Sequence, residues 1–300
     1  MRQQLRHARC IGLLWIDASA DNDRGALVAK SNLAIRLLTV AVVAPVLLGT
    51  LFFAPPIAWY GIVFVASLIG ASELFGMTHP NDAPSRAIGV VMTGAVSLTL
   101  YFEGKKPVAL LTLIAAVTIV GSFIPLVRLG RIEDAALRIM AGVAGPLYVG
   151  GLVTMLAMLR RDQGTSGPPY VLYALMVAWL GDTGGYFAGR FLGKTKLYEA
   201  VSPKKTREGF VGSLVGSACG ALLAHFWYLP VLPLVDGLVL AVIAGALGQM
   251  GDLVESLLKR STGIKDSGWI VPGHGGILDR IDALLVVSPI VYLYAAWMAV

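Results

Sequence analysis

Carboxylates, lysines and paired glycines gather in the second half of this 300-residue chain at spacings that suit phosphate chemistry. Asp252 and Glu255 are three residues apart, so on a helix they share a face. Lys259, four residues beyond Glu255, offers that glutamate an ordinary helix-end salt bridge. Asp252 follows Gly248-Gln249-Met250-Gly251 and has only the distant Lys259 as a local basic partner, so a metal ion or a substrate cation is the better expectation. Asp182 stands in another apolar run, after Trp179-Leu180-Gly181. Asp279 and Asp282 are again three apart and follow His274-Gly275-Gly276, where the glycines permit close backbone approach or positive φ. Capping explains one acidic residue at a helix start well. It does not explain two beside a Gly-Gly turn.

Two basic stretches complement these acids. Residues 192–209 read LGKTKLYEAVSPKKTREG, and residues 259–282 read KRSTGIKDSGWIVPGHGGILDRID. A nucleoside triphosphate carries about four negative charges, and lysine, arginine, hydroxyl and backbone N–H donors suit it. Ser202-Pro203-Lys204-Lys205-Thr206 offers all of these together. An ordinary basic loop explains its lysines, but not the serine, proline and threonine around them. Carboxylates facing a basic loop are the groups that metal-dependent phosphoryl or nucleotidyl transfer requires. Mg²⁺ prefers oxygen ligands and is usually held by a few carboxylates plus phosphates. It neutralises the oxyanions, so that an anionic nucleophile can approach phosphorus. No catalytic serine or cysteine is needed. His274 is a candidate base, although a glycine-flanked histidine often only bonds a neighbouring carbonyl.

The elements that must position these residues are membrane helices. The chain is 56% hydrophobic and 14% charged, with a mean hydropathy of +0.74, whereas a soluble domain carries roughly 25% charged residues. Apolar runs long enough to cross the hydrocarbon layer recur. They predict an all-α polytopic bundle of about nine spans, near 37–53, 57–75, 87–102, 108–126, 139–159, 170–191, 210–228, 238–258 and 284–300. Ala54-Pro55-Pro56 could instead make the first pair a re-entrant hairpin. With a cytoplasmic N-terminus, every lysine and arginine except Lys105, Lys106, Arg160 and Arg161 falls on the inner side, as the positive-inside rule requires. The C-terminus is then outside, and both basic stretches face the cytoplasm.

Residues 1–30 form a polar tail, expected to be disordered. They are followed by N-terminal spans over 31–170 and a catalytic region over 171–300 with cytoplasmic loops 192–209 and 259–282. Cys10 and Cys219 are too few and too far apart for a disulfide framework or a zinc site. The net charge of +6 fits basic cytoplasmic loops and anionic headgroups, and nucleic-acid binding is not expected. Gly212, Gly216 and Gly220, spaced by four, would allow close helix packing within or between subunits.

One known family shares these motifs. The run Ser256-Leu257-Leu258-Lys259-Arg260, then Lys265-Asp266-Ser267-Gly268, then Pro272-Gly273-His274-Gly275-Gly276-Ile277-Leu278-Asp279-Arg280-Ile281-Asp282 resembles the signature of the phosphatidate cytidylyltransferases (CDP-diacylglycerol synthases). Asp182-Thr183 with Tyr186, Gly189-Arg190, Gly193-Lys194, Ser202 to Thr206 and Glu208-Gly209 resembles a second segment of that family. The likeness covers roughly residues 177–282; the first five spans match only in character. Trp269, Val271 and Gly184-Gly185 depart from the pattern without removing a charged or hydroxyl group.

The resemblance implies transfer of the cytidylyl group of CTP to phosphatidic acid, giving CDP-diacylglycerol and pyrophosphate, with Mg²⁺. A second metal or a monovalent cation remains open. It implies Asp252 and Asp279 as the leading metal ligands, with Asp282, Asp182 and Asp266 nearby. Ser202, Pro203, Lys204, Lys205 and Thr206 would serve the phosphates, joined by Arg190, Lys259, Arg260, Gly275 and Gly276. Lys265, Asp266, His274 and Arg280 complete the catalytic set with Asp252 and Asp279. A homodimer in a bacterial-type inner membrane, with its site in a cytoplasm-facing funnel, is also implied. Three alternatives stand beside this: a cytidylyltransferase for another lipid phosphate, a CDP-alcohol phosphotransferase and an ion-coupled transporter. The second lacks its DG-x-x-AR run here. The third usually shows two related halves, and here the charged motifs occupy only one.

Overall fold

A computed structural model describes residues 41–268 and 275–298. The tail 1–30, His274, Trp269 and Val271 lie outside these. The described chain is an all-α membrane bundle: α1 (Ala41–Phe53), α2 (Pro56–Thr78), α3 (Ala83–Glu103), α4 (Pro107–Val127), α5 (Ala135–Gly145), α6 (Leu152–Asp162), α7 (Gly167–Phe191), α8 (Arg207–Leu223), α9 (Leu234–Ser261) and α10 (Leu278–Met298). Each expected span has a helical counterpart. Seven helical runs among the described residues are long and apolar enough to cross a membrane, so the count of nine is not reproduced by that measure. The described part of α1 is short, and α7, although 25 residues long, carries Asp182, Arg190 and several glycines. The expected span 139–159 is one run in which a π-helical turn, Pro146–Gly151, joins α5 to α6. Pro146 has no N–H to give and crowds the preceding turn, which a widened turn accommodates.

The core forms where α2, α6, α7, α9 and α10 meet, around Phe75, Leu159, Tyr173 and Leu285, all fully buried. Tyr173 donates its hydroxyl proton to Gly237 O at 2.7 Å, tying α7 to the start of α9.

The glycines of α8 pack inside the chain, against α7. A Cβ on Gly216 would stand 2.1 Å from Leu180 O, and one on Gly212 2.7 Å from Gly184 O. The two helices therefore touch backbone to backbone, which fixes Asp182 on α7 relative to whatever precedes α8.

What precedes α8 is a departure from the expected loop. Lys196–Tyr198 (β1) and Ser202–Thr206 (β2) form an antiparallel hairpin, with Lys196 opposite Thr206 and Tyr198 opposite Ser202. Thr206 closes the hairpin and caps α8, its Oγ1 accepting from Gly209 N at 3.1 Å. Glu208, in the first turn of α8, accepts from Lys194 N at 3.1 Å and Thr195 N at 3.2 Å. The hairpin is thereby bolted to the helix that packs on α7.

At the foot of the N-terminal half, Asp82 is a hub. It caps α3 by accepting from Ser85 N, takes the Ser85 hydroxyl proton at 2.6 Å, and receives Arg128 Nε at 2.9 Å and buried Arg138. Burial pushes its carboxyl upward, but the hydrogen bonds from Ser85 and Arg128 outweigh that and hold it well below the usual carboxylate range. A depressed folded-state value contributes stability above the unfolded value, about 3.9, that is lost as pH falls toward the folded one. Unfolding temperature should therefore drop as pH is lowered below about 4, and Asp82→Asn should flatten that acid limb. Equal acid limbs in the two proteins would exclude Asp82 as its source.

Candidate active site

Five elements converge on one cavity of about 400 Å³, within the range of small-molecule sites. The end of α7 supplies Asp182, Tyr186 and Arg190; β2 supplies Lys204, Lys205 and Thr206; α9 supplies Gln249 and Asp252. β1 adds Leu197 and α8 adds Gly209 and Phe210, while Asp282 of α10 stays outside the lining but packs next to Asp252, its carbonyl oxygen 3.2 Å from where a Cβ on Gly251 would stand.

Lys205 Nζ lies 2.6 Å from Asp252 Oδ2, so the serine-lysine segment and the carboxylate lacking a local partner meet directly. Gln249 links Asp182 to Lys205. Its Nε2 donates to Asp182 Oδ1 at 2.9 Å, while its Oε1 stands 3.5 Å from Lys205 Nζ. Ser256 Oγ reaches Asp252 Oδ1 at 3.4 Å. Arg190 donates to the Tyr186 hydroxyl at 2.6 Å, and Arg280 stands in the first turn of α10, outside the lining. The wall thus carries acids and cations together, with Tyr186 and Phe210 adding flat apolar surface.

A second cluster forms beside this cavity. Lys259 Nζ binds Asp279 Oδ1 at 2.6 Å and lies 3.3 Å from Glu255, the partner expected from their spacing. Asp279 Oδ2 accepts from Ser267 N at 3.1 Å and Gly276 N at 3.0 Å. Both oxygens of Asp279 are therefore engaged by its own chain, as those of Asp252 are by Lys205 and Ser256, but of the two only Asp252 stands in the cavity wall. Gly275 has φ +81°, and a Cβ there would meet Asp279 Oδ2 at 2.8 Å. Arg260 donates to Ile264 O at 3.0 Å and approaches Val201 O at 3.4 Å, bracing the hairpin turn against the end of α9. Lys265 and Asp266 are exposed on the loop after α9 and do not line the cavity. Ser202 and Pro203 sit at the start of β2, where Pro203 O accepts from Lys196 Nζ at 2.5 Å.

Among the expected site residues, Asp182, Arg190, Lys204, Lys205, Thr206 and Asp252 share the cavity wall, with Asp282 and Arg280 beside it. Lys259, Arg260, Asp279, Gly275 and Gly276 instead organise the adjoining loop. Gln249 was missed because a neutral amide within a glycine-rich helix turn carries no charge signal. Its position three residues before Asp252 was the only clue.

Comparison with known proteins bears on this geometry. Residues 34–298 match the family model described as the cytidylyltransferase family. The chain belongs to that family. Among curated relatives, a phosphatidate cytidylyltransferase of Staphylococcus saprophyticus is 47% identical over 44% of this chain and 51% of its own length. One of Staphylococcus haemolyticus is 47% identical over 52% of this chain and 57% of its own. One of Bacillus subtilis is 45% identical over 45% and 51%, respectively. The chain thus spans about half the length of the curated relatives it matches. The family match itself runs through every described helix from α1 to α10, so the cavity and the loop beside it both lie within it.

Proposed function

We propose that this protein transfers the cytidylyl group of CTP to phosphatidic acid, releasing pyrophosphate and forming CDP-diacylglycerol at the cytoplasmic face of a bacterial cell membrane. The observation that carries this is the direct meeting of Lys205 with Asp252 in a cavity shared with Asp182, Arg190 and Lys204. The relatives named phosphatidate cytidylyltransferase support the choice of both substrates.

A phosphate oxygen of the lipid would attack the α-phosphorus of CTP. The new P–O bond forms as the bond from the α-phosphorus to the bridging oxygen breaks, and pyrophosphate departs with that electron pair. Lys204 and Lys205 project from a hairpin held rigidly to α8 and would bind the triphosphate, with Arg190 screening further charge. Gln249 holds Asp182 and faces Lys205, keeping acid and base in register.

Mg²⁺ fits this donor set in one specific way. Among the described residues no three acidic, histidine or cysteine side chains are grouped closely enough to hold a metal unaided. Asp252, loosening its pair with Lys205, and either Asp182 or Asp282 would supply oxygens to an ion whose shell is completed by phosphate and water, the usual arrangement for Mg²⁺. Such an ion would neutralise charge on the phosphates as the two anions approach. Asp279 would join that shell only by releasing Lys259 or a backbone N–H. A homodimer is part of the same proposal, on the family resemblance alone.

The test is direct. Purified full-length protein, given labelled CTP, phosphatidic acid and Mg²⁺ in mixed micelles, should form a CDP-lipid and pyrophosphate in equal amounts. Absence of any CDP-lipid from well-folded protein, across phosphatidic acids of different acyl length, would overturn the proposal.

A further inference from the structure

We infer that Glu73 is a positioning residue for the acidic start of α10, an inference that rests on the transfer chemistry proposed above. Glu73 belongs to α2, in the half of the chain that the signature motifs do not reach, and is only 7% exposed. A carboxylate withdrawn from water requires partners. No lysine or arginine pairs with it among the described residues. Its partners come instead from the segment that carries Asp279 and Asp282. Ser267 Oγ donates to it at 2.9 Å, Ile277 N at 3.0 Å and Leu278 N at 2.8 Å.

Ile277 and Leu278 open α10, where the first N–H groups have no acceptor within the helix and negative charge is favoured by the helix dipole. Glu73 therefore caps α10 from another helix and fixes the direction in which α10 leaves the loop. Ser267 is shared: its Oγ goes to Glu73 while its N–H goes to Asp279 Oδ2. Glu73 and Asp279 thus clamp the same segment from opposite sides. The chain is shaped for this contact. A Cβ on Gly268 would stand 2.4 Å from Glu73 Oε1, and one on Gly276 2.4 Å from Oε2. The paired-glycine turn closes on a carboxylate of the N-terminal half. Asp282 lies one helical turn beyond that anchor, so a loosened cap swings it away from Asp252 and Asp182.

Glu73→Gln in the full chain preserves size but replaces one accepting oxygen with a donor. Well below the unfolding temperature, kcat for CDP-lipid formation should fall about tenfold or more, the scale of one charge-assisted hydrogen bond, with KM for CTP changing less than about threefold. A purely structural cap would lower the unfolding temperature and leave kcat of the folded protein unchanged; that result overturns the inference. If Glu73→Gln does not fold, Ser267→Ala removes one of the three bonds while keeping the charge, and kcat should fall about threefold, an unchanged value again being fatal. If the unaltered protein makes no CDP-lipid, the transfer proposal fails and the clamp is decided separately by amide hydrogen exchange. Ile277 and Leu278 should then exchange about tenfold faster in Glu73→Gln, and equal rates refute the clamp.

Discussion

Asp252→Asn should reduce CDP-lipid formation by at least about a hundredfold, the scale of removing one preorganised electrostatic group from a phosphoryl-transfer site. Asp252 holds Lys205 at 2.6 Å and shares the cavity with Asp182. Asparagine retains the volume, but deletes the charge that organises the lysine and would hold a divalent cation. The pair is part-exposed, with the Asp252 side chain at 28%, so its loss should cost stability only about 1 kcal/mol or less. Initial rates with saturating CTP, alongside thermal unfolding of the same preparation, provide the check. A variant turning over within threefold of the unaltered protein would remove Asp252 from the chemistry.

Asp279→Asn should lose turnover to a similar extent for a different physical reason. The Asp279 and Lys259 side chains are only 9% and 12% exposed, and breaking a buried ion pair costs about 3 kcal/mol or more. The amide would also turn its NH2 either toward Lys259 or toward Ser267 N and Gly276 N, all of them donors. The unfolding temperature should therefore fall markedly in Asp279→Asn and hardly at all in Asp252→Asn. Loss of turnover with an unshifted unfolding temperature would show that Asp279 is not a loop latch. Lost stability with full turnover would confine it to that role.

The difference between these two aspartates marks how far residue types alone could be read. Every expected apolar segment has its helix, because the hydrocarbon layer imposes a length and a hydropathy that appear directly in the chain. Asp182, Asp252 and the Ser202–Thr206 segment could be nominated because carboxylates in apolar runs and clustered lysines are costly without a purpose. Beyond the helical pair Glu255 and Lys259, which acid would meet which lysine could not be read. Lys205 and Asp252 lie on separate elements, and the hairpin ahead of α8 together with the close packing of α8 on α9, where a Cβ on Gly245 would strike Ser217 Oγ, brings them together. Lys259 and Arg260 looked free for phosphate because their partners, Asp279 and the carbonyls of Val201 and Ile264, are tertiary. Glu73 falls near the end of the expected span 57–75 and belongs to neither motif. Two of its three partners are main-chain N–H groups, the more distant 205 residues away, and such groups leave no mark in a side-chain pattern.

The backbone contact between α7 and α8 also limits traffic. A hydrocarbon tail needs a gap of several ångströms, and a seam in which a single added methyl would strike Leu180 O has none. A diacyl acceptor sliding in from the bilayer would find that side of the cavity shut. Past α9, by contrast, Met250 and Val254 stand exposed on either side of Asp252.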